Sequence, residues 1–179
     1  GNVTTHSNID RYKKRLAEMT VPKRLQLRAM VEWVVTLPPD LKPADRDKFI
    51  KSTINFVAQR YGEKNVIGAY LHLDEPHARP HLHIDFIPAV KELKKDEEEK
   101  KALTAERDMK VKALKEDALQ HNVGTLDLKK NIKAIKDEYK KRLKNVKMIA
   151  TGKDKVCAKD IMTLKELKLF HPQFNLYID

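Results

Sequence analysis

The sequence has one cysteine, few aromatic residues and no long hydrophobic run, and each shortage excludes a class of protein. The lone Cys157 excludes an intramolecular disulfide framework and suits a reducing cytosol. No segment approaches the roughly eighteen apolar residues of a membrane helix, and the N-terminus lacks the apolar core of a secretion signal. Aromatic residues make up 6% of the chain and hydrophobic residues 41%, which indicates a globular but not densely packed protein. We therefore expect a cytoplasmic protein with no membrane segment.

Acidic residues are fewer than basic ones: the chain has 26 Asp and Glu but 37 Lys and Arg, which gives a formal net charge of +11. Such an excess predicts an acidic partner, most often nucleic acid, with an anionic membrane surface as the competitor. The positive charge is dense in the N-terminal fifth, where the candidate DNA-binding residues are Arg11, Lys13, Lys14, Arg15, Lys23, Arg24 and Arg28. A solvated basic face is the alternative interpretation. The first ten residues are polar and predict a loop, and Pro22 divides Arg11–Met30 into two short helical pieces.

Alternating polar and apolar residues predict three strands, at Val31–Leu37, Asn65–Leu73 and His81–Ile87. A helix is predicted from Pro43 to about Tyr61, where Gly62 follows. Ile67, Ala69, Leu71 and Leu73 would form one apolar face. The predicted fold class is α/β in the α+β sense: an antiparallel sheet with a histidine-lined face, helices packed on its other face, and a helical-hairpin insertion.

The insertion is the charged segment from Lys91 to Lys147, which contains almost no Gly or Pro and has apolar residues at helical spacing. It predicts an antiparallel helical arm, so we divide the chain into a domain of residues 1–90 with 148–179 and an arm of residues 91–147. A coiled-coil partner helix from another subunit would give self-association through this arm. In the tail, Thr151–Asp154 predicts a turn, and Thr163 caps a short helix that ends at Phe170 because His171 and Pro172 follow.

Four histidines lie between residues 72 and 83, and three of them are candidate metal ligands. His81 and His83 point to the same side of a strand, and His72 is in phase on the neighbouring strand. Three imidazoles would leave coordination positions open for water or substrate, which suits Lewis-acid chemistry. Asp74 and Glu75 would orient an imidazole or act as a general base. Scattered surface histidines are the alternative, and His77 falls in the predicted connection.

The same residues carry a resemblance to a known family. The segment from Tyr70 to Glu75, followed by Pro80-His81-Leu82-His83 and an apolar strand ending in Pro88, resembles the central motif of MobV-type relaxases, the Mob/Pre plasmid mobilisation proteins of the HUH endonuclease superfamily. Thr5-His6-Ser7-Asn8 resembles their N-terminal segment. The resemblance covers about residues 1–90 and 150–179.

The resemblance implies a DNA relaxase, which nicks and transfers one DNA strand by metal-dependent transesterification at a plasmid origin of transfer. A divalent ion, Mn2+ or Mg2+, would be held by His72, His81 and His83, with Glu75 as the motif acid near it. The partner would be DNA, single-stranded around the nick, in a bacterial cytoplasm. The connection from Glu75 to Pro80 is two residues longer than the family pattern.

The nucleophile of the family, a histidine or tyrosine, precedes the segment matched by Thr5–Asn8, and this chain begins almost at that segment. Either residues are absent from it, or His6 substitutes as a catalytic residue, or the covalent step cannot be completed. The last case predicts a non-catalytic protein that binds an origin or promoter. A histidine-based metal hydrolase acting on another phosphodiester is a third interpretation.

Overall fold

The computed structural model describes the backbone of residues 5–178 and the side chains of residues 8–178. The described chain divides into two compact units. One unit comprises the residues up to Glu92 together with those from Gly152 onward, and the other is Leu93–Thr151. The fold class is confirmed as a mixture of helices with two small sheets, in which antiparallel pairing predominates.

Six strands and six helices alternate irregularly along the described residues. The strands are β1 (Met19–Thr20), β2 (Val31–Thr36), β3 (Val66–His72), β4 (His81–Phe86), β5 (Ala89–Lys95) and β6 (Met148–Val156). The helices are α1 (Thr5–Ala17), α2 (Arg46–Tyr61), α3 (Glu97–Gln120), α4 (Thr125–Lys144), α5 (Ala158–Ile161) and α6 (Leu164–Ile178). Short 3₁₀ turns at Pro43–Asp45 and Glu63–Asn65 precede α2 and β3.

The first sheet has the order β2-β4-β3, with both pairs antiparallel. The three predicted strands are confirmed, and β4 lies in the middle. In the register, His81 lies opposite His72 on β3 and opposite Thr36 on β2. A bulge between Val66 and Gly68 adds one residue to β3, so side chains on either side of it no longer follow simple alternation.

The main core lies on one face of this sheet, beneath α2 and α6. Leu82, Ile84 and Phe86 of β4 are almost completely buried there. From the helices, Phe56 and Phe170 meet edge to face with their ring centroids 5.4 Å apart. Trp33 of β2 stacks on Phe170 at 3.7 Å. The predicted helix after Pro43 is confirmed, and Gly62 at its end has a φ of 93°, which favours glycine.

A second sheet has the order β1-β6-β5, and β1 is parallel to β6. Met19, Ile67, Ile87 and Val156 form a smaller buried cluster, against which Tyr12 and Leu16 of α1 pack. The prediction that Ile67 shares a face with Leu71 is wrong, because the bulge sends Val66 into the main core and Ile67 into this second cluster.

The N-terminal predictions need two corrections. The predicted loop is helical from Thr5, because α1 has the second cluster to pack on and is not free in solvent. The second helical piece of Arg11–Met30 is also wrong: after α1 the chain forms β1, and the described residues 21–30 contain no helix. The polar composition of this region hides the apolar pair Tyr12 and Leu16, four residues apart.

Two predictions in the tail are also wrong. Thr151–Asp154 is part of β6 and not a turn. Thr163 does cap α6, since its Oγ1 accepts from the amide of Glu166 at 3.1 Å, but the helix continues through Pro172 to Ile178. Phe170 and Phe174 lie on either side of this proline and are both buried in the main core. Their packing outweighs a helix-interior proline, which costs about 3 kcal/mol.

The unit Leu93–Thr151 contains the helical hairpin α3–α4, as the charge and periodicity predict. Tyr139 is its most buried side chain, and the Tyr139 hydroxyl donates to Glu106 at 2.5 Å. Glu106 also binds the guanidinium of Arg142, and these two hydrogen bonds lower the pKa of the Glu106 carboxyl to about 2. Within the described chain, no helix has the length and apolar character needed to cross a membrane.

Candidate metal centre

His72, His81 and His83 form a compact half-buried cluster on β3 and β4. Their ring centroids are 5.2 Å apart for His72 and His81, 4.6 Å for His72 and His83, and 4.8 Å for His81 and His83. One ligand nitrogen from each ring lies within 4.8 Å of the other two. The register explains the proximity, because His72 is directly opposite His81 and His83 follows on the same side of β4.

Each ring is held through Nδ1 by a different acceptor. His72 Nδ1 lies 2.5 Å from Glu75 Oε1, His81 Nδ1 lies 2.7 Å from the carbonyl oxygen of Arg79, and His83 Nδ1 lies 2.8 Å from Glu32 Oε1. A carbonyl or carboxylate oxygen accepts but does not donate, so these contacts place the proton on Nδ1. The neutral tautomer then presents the lone pair of Nε2, the form in which imidazole binds a metal.

His83 Nε2 gives an independent test of whether a metal fits. This atom is buried and has no hydrogen-bond partner among the described residues. A buried polar atom without a partner is unusual and costs about 1–3 kcal/mol. A metal ion at the centre of the cluster would give the lone pair its missing partner. The donor set of three imidazole nitrogens therefore fits a divalent transition metal with open coordination positions.

Glu32 is the residue that the sequence reasoning missed. It lies on β2 opposite Asp85, and its side chain reaches His83 on the neighbouring strand. Alternation along β2 places Glu32 on the face opposite Trp33, which packs against the main core. Glu32 could have been found only by also knowing that β2 pairs with β4. Burial raises the pKa of the Asp85 carboxyl, the nearby Glu32 raises it further, and His83 lowers it.

The other acids and histidines of the segment have separate positions. Glu75 bonds His72 and lies with Oε2 3.4 Å from His81 Nε2, so one carboxylate contacts two of the three rings. His77 lies in the connection between the strands with a φ of 66°, outside the cluster. Asp74 is exposed, also in that connection. The backbone of His6 belongs to α1, but its side chain lies outside the described residues.

The basic residues of the N-terminal region have two different environments. Arg11, Lys13, Lys14, Lys23, Arg24 and Arg28 are exposed. Arg15 is 5% exposed: its guanidinium donates to Asn65 at 2.8 Å and forms ion pairs with Glu18 and Asp154. Arg15 is thus bonded within the protein and does not belong to the exposed basic surface. Arg11 and Lys14 line a groove between α1 and α2, together with Lys64.

The fold and the histidine cluster define an α+β protein with a candidate open metal centre on the neighbouring strands β3 and β4. The chain belongs to the plasmid recombination enzyme (Mob_Pre) family, whose profile matches residues 2–141. This match extends past residue 90 into the helical hairpin, beyond the first region of resemblance recognised from the motifs.

Three relatives are named plasmid recombination enzymes. That of Bacillus thuringiensis is 38% identical over 61 residues, which cover 32% of this chain and 13% of the relative. That of Streptococcus agalactiae is 34% identical over 61 residues, covering 32% and 12% respectively. The type 1 enzyme of Staphylococcus aureus is 37% identical over 49 residues, covering 27% and 12%. The chain thus matches about an eighth of the length of each relative. No solved structure matches the chain.

Proposed function

We propose that this chain carries the metal centre and a DNA-binding surface of a relaxase, an enzyme that nicks and transfers one DNA strand at a plasmid origin. Membership of the plasmid recombination enzyme family supports the reaction class. The observation that carries the proposal is the cluster of His72, His81 and His83, in which His83 Nε2 is buried without a partner among the residues that the structure describes. A cytoplasmic location and self-association through the hairpin stay predictions.

In this proposal the three imidazoles hold Mn2+, a transition metal that accepts nitrogen ligands; Mg2+, the other ion that the resemblance implies, prefers oxygen ligands. The bound ion would supply Lewis-acid polarisation of the scissile phosphate. Glu75, Glu32 and the Arg79 carbonyl keep each ring in the Nδ1–H tautomer and fix its orientation. Glu75 also places a negative charge next to two of the rings, which favours a cation between them.

The exposed cations of α1 and of the chain after β1 would contact the DNA backbone. These are Arg11, Lys13, Lys14, Lys23, Arg24 and Arg28, and Arg15 is left out because its guanidinium is already bonded. Contacts of this kind position a strand without reading its sequence, and they make affinity fall with salt.

The hairpin adds a second basic surface. Lys129, Lys133, Lys136, Lys140 and Lys144 recur on α4 at spacings of three and four residues, which places them in one exposed stripe. In the part of the chain that the structure describes, none of these side chains forms an ion pair, although Asp137 borders the stripe. We name these five residues the α4 lysine stripe. It spans roughly 22 Å at about 1.5 Å per residue, enough for several phosphates.

The attacking group is proposed to come from the N-terminal segment, with His6 as the candidate in this chain. The helix that carries His6 is fastened to β3, because Asn8 Nδ2 donates to the Tyr70 hydroxyl at 2.8 Å. Tyr70 lies directly opposite His83 and therefore on the same side of the sheet as the cluster. This contact brings α1 to the histidine side of the sheet, which supports a role for the segment at the metal centre.

Metal binding tests the site. Titration with Mn2+ in a calorimeter should give one site per chain for the wild type and none for His81→Ala or His83→Ala. His77→Ala is the matched control, because it removes an exposed histidine from the adjacent connection without touching the cluster. Unchanged binding in His81→Ala and His83→Ala would remove the site from the proposal.

Cleavage of a supercoiled plasmid tests the reaction. With Mn2+ and the cognate origin, the wild type should relax the plasmid at one position on one strand and leave protein attached to the 5′ end. Binding without cleavage would instead favour a non-catalytic origin- or promoter-binding protein. Uniform degradation would favour a hydrolase of another kind.

A further inference from the structure

A small pocket lies where β2 ends, beside the connection that leads into β4. Two arginines, Arg46 and Arg79, line it together with Pro38, Pro39 and Pro80. No carboxylate is among the described residues that line it. The pocket therefore combines positive charge with rigid apolar walls.

The pocket adjoins the metal centre through the chain itself. The amide of Leu37 donates to the carbonyl oxygen of Pro80 at 2.9 Å, which joins the end of β2 to the start of β4. The carbonyl oxygen of Arg79 accepts from His81 Nδ1. The segment Arg79–His81 thus lines the pocket with its first two residues and supplies a candidate metal ligand with its third.

Among the described residues, neither Arg46 nor Arg79 has an acidic partner. The Arg46 Nε is buried without an acceptor, and within residues 8–178 the other buried side-chain atom without a partner is His83 Nε2. A cationic donor left unsatisfied in this way is costly, and a water or a ligand with an acceptor oxygen would complete its hydrogen bonding. The two unsatisfied atoms thus belong to two neighbouring features, the pocket and the histidine cluster.

We infer that Arg46 and Arg79 form a subsite for a backbone phosphate of the DNA strand held at the metal centre. The inference rests on the proposed function and adds a specific contact to it. Phosphate oxygens accept strong charge-assisted hydrogen bonds from guanidinium groups, which present planar pairs of donors. A phosphate in the pocket would give Arg46 Nε its acceptor, and the prolines would pack against the sugar beside it. One phosphate near the reacting one is then fixed in place.

Neutral phosphates test this contact directly. Single-stranded origin oligonucleotides, each with one methylphosphonate, are titrated with protein and Mn2+ and followed by fluorescence anisotropy. The wild type should lose about tenfold in affinity at one position near the nick. The Arg46→Gln/Arg79→Gln variant should bind the unmodified strand about tenfold more weakly and no longer distinguish that position. Lys48→Gln removes an exposed charge elsewhere on α2 and should keep the discrimination.

The outcomes separate the subsite from the reaction. Metal affinity should not change in the double variant, because His81 bonds the carbonyl of Arg79 and not its side chain. A double variant that discriminates the neutral position as the wild type does overturns the subsite, even if the wild type nicks DNA. Discrimination lost in the variant, in a protein that never nicks, keeps the subsite and removes the relaxase. A wild type that binds none of the oligonucleotides overturns both.

Discussion

Glu32 contacts the histidine cluster and fixes the orientation of one of its rings. Its carboxylate is the hydrogen-bond partner of His83 Nδ1, and the other nitrogen of His83 is buried with no partner in the described part of the chain. Loss of Glu32 would free the ring to rotate and to exchange tautomers, so its metal-binding nitrogen would no longer be fixed.

We expect Glu32→Gln to lower the affinity for Mn2+ by about 10–100-fold, measured by calorimetry, because partners that orient a ligand have effects of this size. Glu63→Gln is the control, since it changes an exposed carboxylate that contacts none of the three rings. Equal affinities in the two variants would show that His83 is held without Glu32.

Asp154 is the counterpart of Arg15 in the interior of the first unit. Burial raises the pKa of the Asp154 carboxyl, but hydrogen bonds from Lys91, Arg15 and Lys64 outweigh burial and hold this pKa well below its usual range. A depressed folded-state pKa means that the charged form stabilises the fold above the unfolded pKa. This stabilisation is lost as the pH falls, over about pH 5 to pH 2.

Asp154→Asn should therefore lower the free energy of unfolding at pH 6 by about 3 kcal/mol, because Arg15 keeps a buried charge without its counter-ion. Urea denaturation at pH 6 and pH 3 measures the effect. The difference between wild type and variant should shrink at pH 3, and an equal difference at both values would contradict the assignment.

Among the elements, α2 and α6 show where sequence signals decide and where packing overrides them. Pro43 begins the 3₁₀ turn that leads into α2, and Gly62 follows the end of α2 as predicted, since proline fixes a helical φ and Gly62 takes a positive φ. Pro172 predicts the end of a helix equally clearly, but α6 continues through it to Ile178. The reason is not local: Phe170 and Phe174 pack in a core whose other buried residues lie between Val35 and Phe86, far away in the sequence.

We expect Pro172→Ala to raise the free energy of unfolding by about 1–3 kcal/mol, because Pro172 is exposed and its replacement restores a helix hydrogen bond. Thermal or urea denaturation measures the gain. Lys168→Ala, another exposed position of α6, should change stability by less than about 0.5 kcal/mol. A loss of stability in Pro172→Ala would show that the proline contributes to the fold.

The candidate site was predictable to the extent that it depends on one strand. His81 and His83 follow from alternation, and the neighbouring strand brings in His72. Alternation also places Tyr70 on the face of His72, but Glu32 and Asn8 were not predictable, because their positions depend on pairing and packing between segments distant in the sequence. The bulge lies between Val66 and Gly68, and a Cβ at Gly68 would lie 2.9 Å from both Asn8 Nδ2 and the Tyr70 hydroxyl oxygen. Alternation carries no information about such an extra residue.

On the scale of the whole molecule, the positive charge is shared between the two units, and the α4 lysine stripe makes the hairpin's part testable. We expect Lys133→Gln/Lys136→Gln/Lys140→Gln to reduce the slope of log affinity for duplex origin DNA against log salt by about 2–3, which corresponds to three lost phosphate contacts. Binding is measured by anisotropy over a range of NaCl concentrations.

The control removes the same number of charges from the other helix of the hairpin. Lys100, Lys110 and Lys112 each pair with a glutamate of α3, so their replacement by glutamine should change the slope much less. If both triple variants change the slope equally, net charge and not the stripe determines the binding.

Because side chains alternate between the two faces of β4, the positions of its histidines depend on how the opposite face of the strand packs in the core. Leu82 lies between His81 and His83 in β4, and its side chain packs in the core on the opposite face of the strand. A shift of β4 by one residue would exchange the two sets of side chains, and a smaller shift would move the imidazoles away from His72. Metal affinity would therefore report on core packing, and a cavity mutation such as Leu82→Ala would be detected by metal titration while the protein is still folded.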